Sequence, residues 1–152
     1  MATISIFRQR LKAIANEQLI ISLVFDQINR YKGILIDLVQ LQLEKGENPK
    51  NEVVGTYKRA TEIESLLGKV KPIQPKKEGD PYNFEWTGGF FDGMFLEVGK
   101  DEAQWGSDDY KTEELEKKYG ELLGLQIKNF IEAKEQYLLP GFIQEVKKIL
   151  DV

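Results

Sequence analysis

The chain contains no cysteine and no histidine. Disulfides, thiolate zinc sites, Cys or Ser–His nucleophile pairs and imidazole general bases are excluded by that inventory. Any catalysis would rest on carboxylates, lysines and tyrosines. A Walker loop and a dinucleotide fingerprint are missing too, so the expectation is no cofactor, no metal and no enzyme activity. Long apolar runs are also scarce. Leu19-Ile20-Ile21-Ser22-Leu23-Val24-Phe25 is far too short to span a bilayer. Asn16, Glu17 and Gln18 precede it and Asp26 ends it without a small-residue cleavage site, so neither a membrane anchor nor a signal peptide is expected. The net charge of −4 gives no general pull toward nucleic acid. What remains is ordinary: 152 residues, 41% hydrophobic and 30% charged, the composition of one globular domain with a single core.

Within that domain (1–152) the texture divides the chain into four regions. Residues 1–45 carry a helical stripe of Phe7, Leu11, Ile14, Ile21, Phe25, Ile28, Tyr31, Leu35 and Leu38, with Thr3 or Ser5 as cap and Gly46 as stop. Gly33 either divides this into two helices or merely weakens one. Residues 46–86 read as an extended arm, with turns at Asn48-Pro49 and Gly55 and a Pro-Lys stretch from Lys71 to Lys77. A short helix fits residues 57–67, because Ala60, Ile63, Leu66 and Leu67 share a face. So long a stretch with little to pack is generally functional or disordered. Residues 87–106 read as a β-hairpin. Phe90, Met94, Leu96 and Val98 alternate toward one face, Gly99-Lys100-Asp101 supplies the turn, and Trp105 lies on the return strand. Residues 107–152 are helical again, stopped at Gly120 and interrupted by Pro140-Gly141.

Two constellations bear on chemistry. Asp109-Tyr110-Lys111, with Asp92 upstream, has the Asp-x-Lys form in which carboxylates hold a divalent ion and lysine stabilises developing charge. The plainer reading is a helix cap and solvated first turn. The second is an opposition of charge. Residues 57–77 hold six basic residues against Glu62 and Glu64, whereas 101–121 hold eight acids against three lysines. Lys69, Lys71, Lys76 and Lys77 of one subunit can rest on Asp108, Asp109 and Glu113 of the next, or pair within one chain. Contact of the basic stretch with DNA phosphates is the weaker alternative.

The order of landmarks then carries a resemblance. A helix ends at Leu43-Glu44-Lys45-Gly46, Gly55-Thr56-Tyr57 follows, and a lysine-rich loop leads to Thr87-Gly88-Gly89-Phe90. After the hairpin come Lys118-Tyr119-Gly120, Gly124-Leu125 and a closing helix. From about Leu38 to Leu150 this resembles the head–tail joining proteins of tailed bacteriophages, also called neck, tail-completion or virion-morphogenesis proteins. Thr87, Gly88 and Phe90 match the Thr-Gly-x-(Leu/Phe) box, while Tyr119, Gly120, Gly124 and Leu125 match the later element. The resemblance implies a non-enzymatic virion part, assembled in the host cytoplasm into a sixfold or twelvefold ring. Its implied neighbours are portal, connector or tail proteins, with DNA in the channel as a possible further contact.

The expected fold is α+β: a long N-terminal helical region and a C-terminal helix on a small antiparallel sheet, with a protruding arm. Thr87, Gly88 and Gly89 form the structural turn at the hairpin. Phe91 and Phe95, on the second strand face, either meet a neighbouring subunit or are covered within the monomer. A small metal-dependent nuclease built on Asp92, Asp109 and Lys111 is the alternative in another class, and a helical adaptor the third.

Overall fold

The computed structural model describes residues 4–152 and is α+β. The N-terminal stripe forms three helices, α1 (Ile4–Ile14), α2 (Glu17–Arg30) and α3 (Lys32–Glu44). The first break falls at Asn16, whose side chain accepts the Gln18 N–H at 2.9 Å and so starts a new helix. The second falls at Tyr31, and Gly33 lies inside α3. No local signal demands a break at Tyr31; its ring meets Tyr137 of the C-terminal helix at 5.6 Å, so tertiary packing sets this boundary. Thr3 lies outside the described residues, and Ser5 sits within α1. The stripe is also only partly internal. Of its residues only Leu35 is buried and Phe7 and Leu11 are exposed; the buried positions beside it are Leu23, Gln27, Val39, Gln42 and Leu43.

Gly46 stops α3 as expected, with φ +75°. Only glycine suits the position, because a side chain would also meet Pro81 Cβ and the Tyr82 carbonyl at 2.7 Å. The loop expected over 46–86 is present, and its two legs pair with each other rather than running as unpaired extended chain. Asn48 closes a tight turn by accepting the N–H groups of Lys50 and Glu52. The outgoing and returning legs then pair: Tyr57 N–H donates to Asp80 O, Gly79 N–H to Tyr57 O, and Tyr82 N–H to Gly55 O. Helix α4 (Arg59–Leu67) lies between the legs in sequence, and Val54 and Phe84 pack on the main core. Backbone pairing supplied at the base lets a polar segment fold back, which composition does not announce.

The hairpin comprises β1 (Met94–Val98) and β2 (Ala103–Ser107), antiparallel with Leu96 opposite Trp105. Its first strand begins later than the alternation suggests. Gly88, at φ +87°, opens a single helical turn α5 (Gly89–Asp92), closed by Asp92 N–H to Gly88 O and Gly93 N–H to Gly89 O, both 2.9 Å. A four-residue apolar stretch satisfies helix and strand periodicity equally, and here the glycine decides. Both Phe90 and Phe91 therefore turn inward. They join Val39, Leu43, Met94, Leu122 and Leu123 in the main core, beside a smaller cluster of Leu35, Leu96 and Ala133.

Helix α6 (Thr112–Tyr119) ends at Gly120, again at a positive φ, +81°. The C-terminal helix runs as α7 (Ile127–Ala133), a π turn (Lys134–Leu138) and α8 (Leu139–Leu150). Pro140 lacks an N–H and its ring crowds the carbonyl of Gln136; widening that turn relieves both, so the interruption is a π bulge rather than a break. Gly141 brings α8 close to α2, where Gln27 Oε1 lies 2.1 Å from the place a Cβ would occupy.

Candidate functional site

Polar contacts within the arm hold its helix α4 to the returning leg and set which side of the helix faces in. On α4 the inward residue is Ser65, whose hydroxyl donates to Glu62 O at 2.8 Å and accepts the Lys76 N–H at 3.1 Å. The Glu62 carboxylate accepts the Glu78 N–H at 3.1 Å and pairs with Arg59 at 2.9 Å. With this polar side turned in, the apolar side faces out. Ile63, Leu66 and Leu67 are 46%, 55% and 80% exposed, followed by Val70 at 60% and Ile73 at 57%. The shared face expected for Ala60, Ile63, Leu66 and Leu67 thus exists, but it points to solvent.

Lys76 is a buried cation. Its ammonium donates to Asn83 Oδ1 and to Glu85 O, both at 2.7 Å, and lies 5.6 Å from the centre of the Tyr57 ring. Burial holds Lys76 below the ordinary lysine value, opposed by the charge of Glu85. The Tyr57 hydroxyl donates to Asn83 Oδ1 at 2.9 Å, and burial pushes it above the usual tyrosine value. An aromatic chain continues to the body. Tyr82 contacts Tyr57 at 4.9 Å and Tyr119 at 5.2 Å, and Phe84 contacts Tyr119 at 5.7 Å. Beside it lies a cleft of about 430 Å³ whose lining includes Tyr57, Trp86, Phe90, Lys58, Lys111 and Lys118. A second, shallower groove of about 490 Å³ lies on the acidic side, between β2 and the end of α6. Trp105 and Leu123 line it with Gln104, Gly120, Glu116 and Glu121.

The residues singled out from sequence fare differently. Phe91 is 7% exposed and belongs to the core, so it is corrected as an interface residue. Lys76, at 3%, is corrected for the same reason. Phe95 is 37% exposed, its ring lying against Gly106, where any Cβ would come within 2.3 Å. Lys69, Lys71 and Lys77 are exposed, and the Lys71 ammonium donates to Leu66 O. Asp108 is exposed; Glu113 is exposed and paired with Lys117 at 2.8 Å. Gly88 makes the turn and Gly89 fits against the Asp109 carboxylate, while no hydrogen bond of the Thr87 hydroxyl accompanies them among the described residues. Asp109 caps its own segment, accepting the Lys111 N–H at 2.8 Å. Among the described residues, no three metal-ligating side chains come together, and no helix is long and apolar enough to cross a membrane.

Glu62 makes the arm's closure pH-dependent. The Glu78 N–H first, then Arg59, hold its carboxyl below the usual value of 4.5. A folded-state value lowered in this way contributes stability fully above pH 4.5, lost as the pH falls through the lowered value. Protection of the amides over 59–78, measured relative to their intrinsic exchange rate at each pH, is expected to fall on acidification across that range. Glu62→Ala is expected to show the faster exchange already at neutral pH; an unchanged profile in the variant would contradict the assignment.

The total surface is large. A folded chain of 17.5 kDa ordinarily exposes about 7,900 Å² by the scaling of area with mass. This one exposes 10220 Å², and among the described residues the exposed large hydrophobics outnumber the buried apolar ones. No known protein family, curated protein or solved structure matches the chain.

Proposed function

We propose that the chain is a structural subunit of a tailed-phage or prophage virion, a head–tail connector, neck or tail-completion protein that closes into a ring. The observation that carries this reading is the excess of about 2,300 Å² of surface over the ordinary monomer. A typical interface takes about 800 Å² from each partner, so the excess suits a subunit covered on two sides. A ring subunit has two such neighbours. The inverted helix α4 agrees with this, since an outward apolar face costs solubility unless something covers it. The landmark order from Gly46 through the Thr87-Gly88-Gly89-Phe90 box to the closing helix supplies the virion context.

Deleting the gene from a producing phage or prophage tests the reading. Electron microscopy is expected to find filled heads and free tails that fail to join, with joining restored by supplying the chain. Normal infectious particles from the deletion, lacking this chain, would overturn it.

A further inference from the structure

Resting on that ring-subunit reading, we infer that the outward face of α4 and the segment after it dock into the Trp105–Glu121 groove of the next copy, head to tail. The donor side is Leu66, Leu67, Lys69 and Val70: large apolar groups flanking a lysine, all exposed. The receiving side has the complementary order, an apolar floor of Trp105 and Leu123 with Glu116 and Glu121 alongside. Neither set is satisfied at home. Lys69, Glu116 and Glu121 make no ion pair among the described residues, whereas nearby Glu113 is taken by Lys117. Two faces on opposite charge blocks of one chain make the contact heterologous, and successive copies repeat it until they close.

Charge also disfavours one competing apolar face. Ile6, Phe7 and Leu11, exposed on α1, are interleaved with Arg8 and Lys12, of the same sign as the arm. Like charges brought together there would oppose docking, whereas the 101–121 block attracts it.

Zero-length carbodiimide cross-linking of an equal mixture of ordinary and ¹⁵N-labelled full chain tests the contact. Mixed-isotope peptides joining Lys69 to Glu116 or Glu121 are expected. In parallel, Lys69→Glu and Glu121→Lys each weaken self-association by about tenfold or more, and the double variant recovers most of it, because every interface then carries the pair reversed. All the altered side chains are exposed, so melting temperatures stay at the wild-type value. If the wild type assembles but lacks these cross-links and ignores both reversals, the arm–groove contact is wrong while the ring reading stands. A wild type that neither assembles nor cross-links between copies overturns both.

Discussion

Replacing Phe91 by alanine is expected to cost about 3–5 kcal/mol of stability, the usual range for a phenylalanine removed from a close-packed core. The ring sits among Val39, Leu43, Met94 and Leu122, and its backbone carbonyl accepts the Gln40 side-chain N–H at 2.9 Å. Little around it is free to collapse into the gap, because Gly88 and Gly89 fix the turn that aims it inward. For a chain of this size the melting temperature should fall by roughly 10 °C or more. Phe95→Ala is the control: its ring is over a third exposed and lies on the outer sheet face, so its loss is expected to cost much less. Thermal or urea unfolding of the two variants measures the contrast, and equal costs would contradict the placement of Phe91 in the core.

The opposite pattern is expected on α4. Leu66→Asp combined with Leu67→Asp should leave the melting temperature within a few degrees of wild type, since both side chains are mostly in water already. Assembly, by contrast, should be lost. Fully burying a leucine is worth about 1.5–3 kcal/mol, so two of them carry a factor of a hundred or more in association. Sedimentation velocity and a thermal melt on the same sample separate the effects. A variant that unfolds, or one that assembles like wild type, contradicts an outward docking face.

These predictions also mark where sequence sufficed. Gly46 and Gly120 stop their helices because both positions need positive φ, and a glycine after a helical stripe announces that locally. The hairpin turn and the return strand carrying Trp105 follow from alternation and Gly99 in the same way, while the register that sets Leu96 opposite Trp105 comes from the fold. The misread elements depend on partners distant in the chain. Lys76 looks like one more solvated lysine until Ser65, Asn83 and Glu85 close around it. The periodicity of Ile63, Leu66 and Leu67 gives a face but not its direction; the direction is set by Ser65 and Glu62 binding the returning leg. The strand register that puts Phe91 on the second sheet face is cut short by Gly88. Gln42, a polar residue among the apolar positions of α3, is buried and is a local signal of a buried tie. Its amide donates to Gly124 O and accepts from Gln126 N–H, both at 2.8 Å, tying α3 to the start of α7.

The central claim is that surface left open by one chain is closed by others. Native mass spectrometry of the purified full chain across a concentration series tests it most directly. A discrete multiple of the 17.5 kDa subunit, with protection from amide exchange appearing over 59–73 as it forms, is the predicted result. A single-copy mass at every concentration, with that segment equally exposed throughout, would contradict it.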